Sequence, residues 1–77
     1  GMVSYGEAEV KERIEQGAVE LVLLSDALDD ELIETFESLA EPLGTEVRII
    51  STETREGVQL RDMGKIAAIL RYEVHEG

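Results

Sequence analysis

Gly64-Lys65-Ile66-Ala67-Ala68-Ile69-Leu70-Arg71-Tyr72 sets five apolar residues in a row between a glycine turn and a cation followed by an aromatic. The run is too short for a helix and has no polar alternation, so it reads as a strand buried on both faces. Nothing in it has the chemistry of a catalyst. A strand of this kind needs neighbours, and the rest of the chain supplies them.

Immediately upstream lies a polar elbow, Ser51-Thr52-Glu53-Thr54-Arg55-Glu56-Gly57. Glu56 to Asp62 reads as a short helix with Val58 and either Leu60 or Met63 inward, ended by Gly64. Before the elbow, Thr45-Glu46-Val47-Arg48-Ile49-Ile50 alternates and then becomes apolar, a second strand. The strongest periodic signal precedes it. Leu28, Leu32, Ile33, Phe36, Leu39, Ala40 and Leu43 recur at three- and four-residue spacing and predict a helix from about Asp29 to Leu43. Asp29, Asp30, Glu31 and Glu34 crowd its first turns, where carboxylates favour the positive end of the helix dipole. Pro42 and Gly44 bring it to a stop. Further back, Ala18 to Leu24 is nearly all apolar and partly β-branched, a central, parallel-type strand, with Ser25-Asp26 ending it and able to cap the next helix. Strand, helix and strand make a right-handed βαβ unit.

At the N-terminus, Ser4-Tyr5-Gly6-Glu7 fits a capping box for a helix over 6–16. Val10 and Ile14 form its thin apolar stripe, while Lys11, Glu12, Arg13 and Glu15 read as a solvated face. Gly17 supplies its left-handed exit. Residues 73–77 read as a frayed end. The expected core is Leu23, Leu32, Phe36, Ile49, Ile66 and Ile69.

With 77 residues the chain makes one domain, small enough that folding buries only about 60% of its unfolded surface. The absence of cysteine rules out disulfides, cysteine zinc sites and thiol nucleophiles. No apolar run approaches the roughly 18 residues of a membrane span, and no charged-then-apolar leader opens the chain. Gly1-Met2 reads as a remnant of tag removal before an initiator-type Met, as in a piece cut from a longer protein. The net charge of −11, from 18 acids against 7 bases, argues against nucleic acid, whose affinity rests on Lys and Arg neutralising phosphates, and against an anionic membrane. It fits solubility, adaptation to high salt, or a field that steers a basic partner.

Candidate chemistry is sparse. Asp26, Asp29, Asp30 and Glu31 lack the spacing and closing Glu of a calcium loop and read as helix capping. His75 is the single histidine and has no partner in sequence. Ser25-Asp26 and Ser51 with Glu53 lack an activating base. Gly57 and Gly64-Lys65 do not make a phosphate loop. No catalytic residue, metal site or cofactor is expected. The elbow residues Ser51, Thr52, Glu53 and Thr54 come just after a strand's C-terminal end, where α/β sheets commonly place binding sites, though a strand exit leading into a helix cap explains them better. Arg71 and Tyr72 are residue types enriched in interface hot spots. The alternative is a surface Arg beside a Tyr packed under the first helix.

These stretches together resemble the C-terminal domain of the archaeal and eukaryotic peptide chain release factors and their relative Pelota. Tyr5-Gly6 with Val10, Gly17-Ala18-Val19 and Leu23-Leu24-Ser25-Asp26 are similar to its opening. Ile50 to Thr54, Glu56-Gly57 and Gln59-Leu60 are similar to its elbow, and Ile66 to Tyr72 to its last strand. Two departures stand out. Lys65 replaces the second Gly of the usual pair, and the cysteine-bearing, zinc-binding insert many archaeal release factors carry after the Ser25 position is missing.

The resemblance implies a small α/β/α sandwich with a mostly parallel or mixed sheet, similar to the kink-turn-binding ribosomal proteins. It implies a non-catalytic interaction domain of a cytoplasmic translation termination factor. Its partners would be a translational GTPase of the elongation-factor-Tu type, a ribosome-recycling ABC ATPase, and the ribosome through the full-length protein. The GTPase contact would involve Ile69, Leu70, Arg71 and Tyr72. The Ser-Thr-Glu-Thr elbow favours a release factor, which is the leading reading. The missing insert favours Pelota, acting in ribosome rescue and mRNA surveillance. A stand-alone kink-turn RNA-binding protein would be a different class and would need a basic groove.

Overall fold

The computed structural model describes residues 2–71. Its elements run β1 (Val3–Tyr5), α1 (Glu7–Glu15), β2 (Val19–Ser25), α2 (Asp30–Ala40) with a 3-10 turn over Glu41–Leu43, β3 (Glu46–Ile50), α3 (Arg55–Asp62) and β4 (Ile66–Leu70). The four strands form one mixed sheet in the order β1-β4-β2-β3. β2 and β3 are parallel, as the βαβ reading predicts, and β4 inserts antiparallel between β1 and β2. The run that decides the fold is therefore an inner strand, paired on both edges and buried along almost its whole length.

Register sorts the side chains into two faces, because successive residues of a strand point to opposite sides. Val22, Leu24, Ile66, Ala68 and Leu70 turn to one face and pack with Val10 and Ile14 of α1 and Phe36 of α2, with Leu28, Leu32, Ile33, Leu39 and Val47 around them. Val19 joins them through an irregularity at Glu20: Val19 pairs with Leu70 and Leu21 with Ile69, so one extra residue on β2 lets both Val19 and Val22 face the helices. Its carbonyl accepts from the Thr45 hydroxyl at 3.0 Å and from Arg71 Nε at 3.1 Å.

Helix boundaries reflect the backbone chemistry. Gly17 and Gly44 hold positive φ just after α1 and the 3-10 turn, the left-handed step that glycine takes without steric cost. At α3, the Thr54 hydroxyl accepts from the Gly57 amide at 2.9 Å, a side-chain cap on an otherwise orphan donor. Gly57 also lets α3 approach the elbow: a β-carbon there would collide with the Ser51 carbonyl.

Several expectations are corrected. Ser4 caps no helix. It is the middle residue of β1, buried opposite Ala68, and the N-cap of α1 is Gly6, which has no side chain to bond. Val3 and Tyr5 flank it in extended backbone, so pairing with β4 outcompetes a cap. Arg13 belongs to no solvated face: it is buried, with its guanidinium on the Gln16 side-chain oxygen at 3.2 Å and 3.9 Å from Glu9. A long aliphatic stem can lie along apolar surface while its head stays paired. Ile49 is 47% exposed, because β3 is an edge strand and Val47, not Ile49, is the residue packed against the core. Leu43 is likewise exposed, and Leu23, Leu32 and Ile69 are half-buried. Leu60, not Met63, is the inward residue of the last helix. Asp29 holds the N-cap position of α2 without a side-chain bond. Ser25 accepts from the Ala27 amide and Asp26 reaches the elbow instead. Tyr72, His75 and the 73–77 end lie outside the described residues.

Candidate docking surface

The second face of the sheet carries two apolar rows. Val3, Ile69 and Leu21 stand side by side across β1, β4 and β2, and Tyr5, Ala67 and Leu23 form the next row. Charge enters only at the edge strand, where Glu46 and Arg48 continue the rows and pair with each other at 2.7 Å. On this side α3 is the sole helix in contact with the sheet among the described residues. Leu60 packs down while Glu56, Gln59 and Met63 wall one side of a trough of about 270 Å³, floored by Leu23, Ala67 and Ile69. The small Ala67 between Tyr5 and Leu23 keeps the trough open. Val3 and Tyr5 are 44% and 42% exposed and Met63 48%. Contiguous exposed apolar surface of this kind marks interaction sites more often than it marks chance.

Of the four residues expected to meet a partner, Ile69 lies in this trough. Leu70 points the other way into the core, 3% exposed, as strand alternation requires. Arg71 is exposed, but its amide donates to the Ala18 carbonyl at 2.7 Å and its Nε to Val19. It braces the β2 entrance as well as reaching solvent. Val3, Tyr5, Leu21, Leu23 and Met63 had no signal as site residues. Val3 and Tyr5 alternate about Ser4, but three residues are too few to announce a strand.

The elbow folds on itself. The Ser51 Oγ accepts from the Glu53 amide at 3.1 Å, and the Ser51 carbonyl accepts from the Thr54 amide at 3.2 Å and the Thr54 hydroxyl at 2.9 Å. Asp26 Oδ1 accepts from the Thr52 amide at 3.1 Å, and the Asp26 amide donates to the Ile50 carbonyl at 3.0 Å. The loops after the two parallel strands are thus clipped together. With Thr54 donating to Ser51 and accepting from Gly57, its hydroxyl already has both partners, so the geometry is that of a turn and cap rather than a nucleophile. Among the described residues no group of acids and histidines is placed to hold a metal ion, and no helix is long and apolar enough to cross a membrane.

The match to known proteins spans the same elements. Residues 1–74 fit the family model described as eRF1 domain 3. A Pelota homologue of Methanocorpusculum labreanum is 41% identical over 75 residues, covering 96% of the chain and 22% of that relative. Peptide chain release factor subunit 1 of Methanobrevibacter smithii is 34% identical over 119 residues, 96% of the chain and 29% of that relative. A solved structure of ribosome-bound archaeal Pelota with ABCE1 superposes with a TM-score of 0.83 at 35% identity, over 97% of the chain and 22% of its counterpart. The chain spans less than a third of the length of these curated relatives.

Proposed function

The chain belongs to the eRF1 domain 3 family, and from that premise we propose that it is the docking domain of a translation factor. In this reading it meets a translational GTPase of the elongation-factor-Tu type with the open face of its sheet. The apolar trough around Ile69 carries the proposal. It offers an apolar, shaped surface of the kind that hot-spot residues fill, and it includes the last strand, for which the family resemblance implies a GTPase contact. Arg71, one strand end away, supplies a charged rim. A surface of net charge −11 favours encounter with a basic partner. The domain performs no chemistry of its own. It acts in the cytoplasm as one module of a longer factor, reaches the ribosome through the rest of that protein, and takes the ribosome-recycling ABC ATPase as a second partner. The archaeal Pelota solved with ABCE1 on the ribosome supports that second role.

Between the two branches, alignment length favours Pelota and ribosome rescue. The release-factor alignment runs 119 positions against 77 residues in the chain, so that relative carries a long insertion here. The Pelota homologue aligns over 75 residues at higher identity.

Calorimetric titration of the GTPase into the chain tests the docking reading. Ile69→Asp should abolish measurable heat while the circular dichroism spectrum stays folded. Undiminished affinity in that folded variant would remove the open face from the contact.

A further inference from the structure

Among the described residues β3 has one neighbour, β2, and its other edge is open. The Ile50 carbonyl accepts from the Asp26 amide just beyond β2, so Ile50 turns its peptide groups toward β2. By strand alternation Arg48 and Glu46 do the same. The peptide groups of Val47 and Ile49 therefore point outward. Edges are normally blunted by a proline, a bulge or charged side chains. The charges of this edge, Glu46 and Arg48, are of opposite sign and pair with each other, so they can equally pair across a two-fold contact. No proline or lysine stands in Thr45 to Ile50 and its pairing with β2 has no bulge, and the Ile49 side chain stands 47% exposed there.

We propose that this edge pairs antiparallel with the same edge of a second copy, joining two four-stranded sheets into one. A two-fold contact is self-complementary, and two of the registers that the outward peptides allow pair five residues of Thr45 to Ile50 on each copy. With the axis at Arg48, that residue would face the partner's Arg48, like charges directly opposite, which is unfavourable. With the axis at Val47, Val47 faces the partner's Val47, Glu46 faces the partner's Arg48, and Thr45 faces the partner's Ile49, each pair formed twice. Charge selects the second register. The Thr45 amide already donates to the Ala40 carbonyl, so at that pair only the Ile49 amide is available to donate. The pairing uses no residue that lines the trough, and it does not rest on the docking reading.

The charge of −11 on each copy opposes association. Raising salt to 1 M shortens the screening length to about 3 Å and removes that repulsion, while backbone bonds and apolar contacts persist. Sedimentation velocity of the 77-residue chain over rising concentration should show a monomer–dimer equilibrium that strengthens with salt. Hydrogen exchange of the Val47 and Ile49 amides should slow as the dimer fills. At about 0.1 M salt, where charges closer than roughly 10 Å still interact, Arg48→Glu or Glu46→Arg alone should weaken the dimer roughly tenfold or more, because each sets like charges opposite twice. The double variant Glu46→Arg/Arg48→Glu should restore it, and mixing the two single variants should give a heterodimer tighter than either homodimer. A chain that stays monomeric to millimolar concentration in 1 M salt would overturn the proposal. So would a dimer indifferent to these charge reversals, or single variants that fail to associate when mixed.

Discussion

The two faces of the sheet are made from the same four strands and from similar residues, yet they are finished differently. One lies under α1 and α2 and closes around Phe36, Val22 and Leu24, all essentially inaccessible. The other lies under the eight-residue α3 and leaves Val3, Tyr5 and Met63 more than two-fifths exposed. Closure of the first face supplies the stability of the domain. Incompleteness of the second leaves apolar surface for something else to cover. Substitutions on the two faces should therefore divide cleanly between fold and binding.

The sharpest break in that contrast is Phe36→Ala. It empties the centre of the closed face and should cost about 3–5 kcal/mol, enough to unfold much of a domain whose whole stability is of order 5–15 kcal/mol. Thermal melting reads it directly, and a small change in midpoint would mean that the closed face is not the stability-bearing one.

Gly57→Ala comes next. α3 sits against the backbone of the elbow with no room for a β-carbon at Gly57, so the substitution must push the helix off the open face or spring the Ser51–Thr54 turn. Overpacking of this kind costs typically about 1–3 kcal/mol. Because α3 also walls the trough, partner affinity should fall with it. Paired melting and titration would show both, and a variant that melts normally would mean that the elbow yields freely.

On the open face, Tyr5→Ala and Val3→Ala should move stability by no more than about 1 kcal/mol, since both side chains are already partly in water. In the proposed complex each should weaken GTPase binding by at least about 1 kcal/mol. If they destabilise the free chain as strongly as they weaken binding, the two faces are not functionally distinct.

Much of this division was legible in advance. The three- and four-residue spacing in α2, the apolar runs of β2 and β4, and the alternation of β3 each have one physical solution at that length. Which side of β2 or β4 would be covered was not legible. In a run such as Ile66-Ala67-Ala68-Ile69-Leu70 every position is apolar, so the pattern predicts burial without assigning faces. Faces come from register, and register comes from pairing with β1, a three-residue strand whose partner lies more than sixty positions away. The same gap hid Val3 and Tyr5 as surface residues, while Ile49 entered the expected core because the pattern does not say which strand will lie at the sheet's edge. Arg13 was hidden for another reason: its place on the helix wheel beside Val10 and Ile14 reads as polar, and only the packed neighbours make it buried.

The smallest effect, and the one that tests the border between the faces, is at Arg71. Its Nε bonds the Val19 carbonyl, and that carbonyl also receives the Thr45 hydroxyl. Removing one donor leaves the acceptor satisfied. Arg71→Ala alone should therefore cost about 0.5 kcal/mol, the lower end of what a hydrogen bond contributes net. Thr45→Val alone should cost somewhat more, because it also takes a buried hydroxyl from its partner. Together they orphan a buried carbonyl, and the double variant should exceed the sum of the singles by about 1 kcal/mol, the excess that an unsatisfied group adds. A double-mutant cycle by chemical denaturation measures that excess, and strict additivity would show that the Val19 carbonyl finds water or another donor. Titration with the GTPase then separates the two roles of the residue. If Arg71→Ala leaves the fold intact and binding drops at least about tenfold, the guanidinium reaches the partner past its bond to Val19. If binding falls only when Thr45→Val is added, Arg71 acts by holding the β2 entrance in place, and the contact belongs to Ile69 and the open face alone.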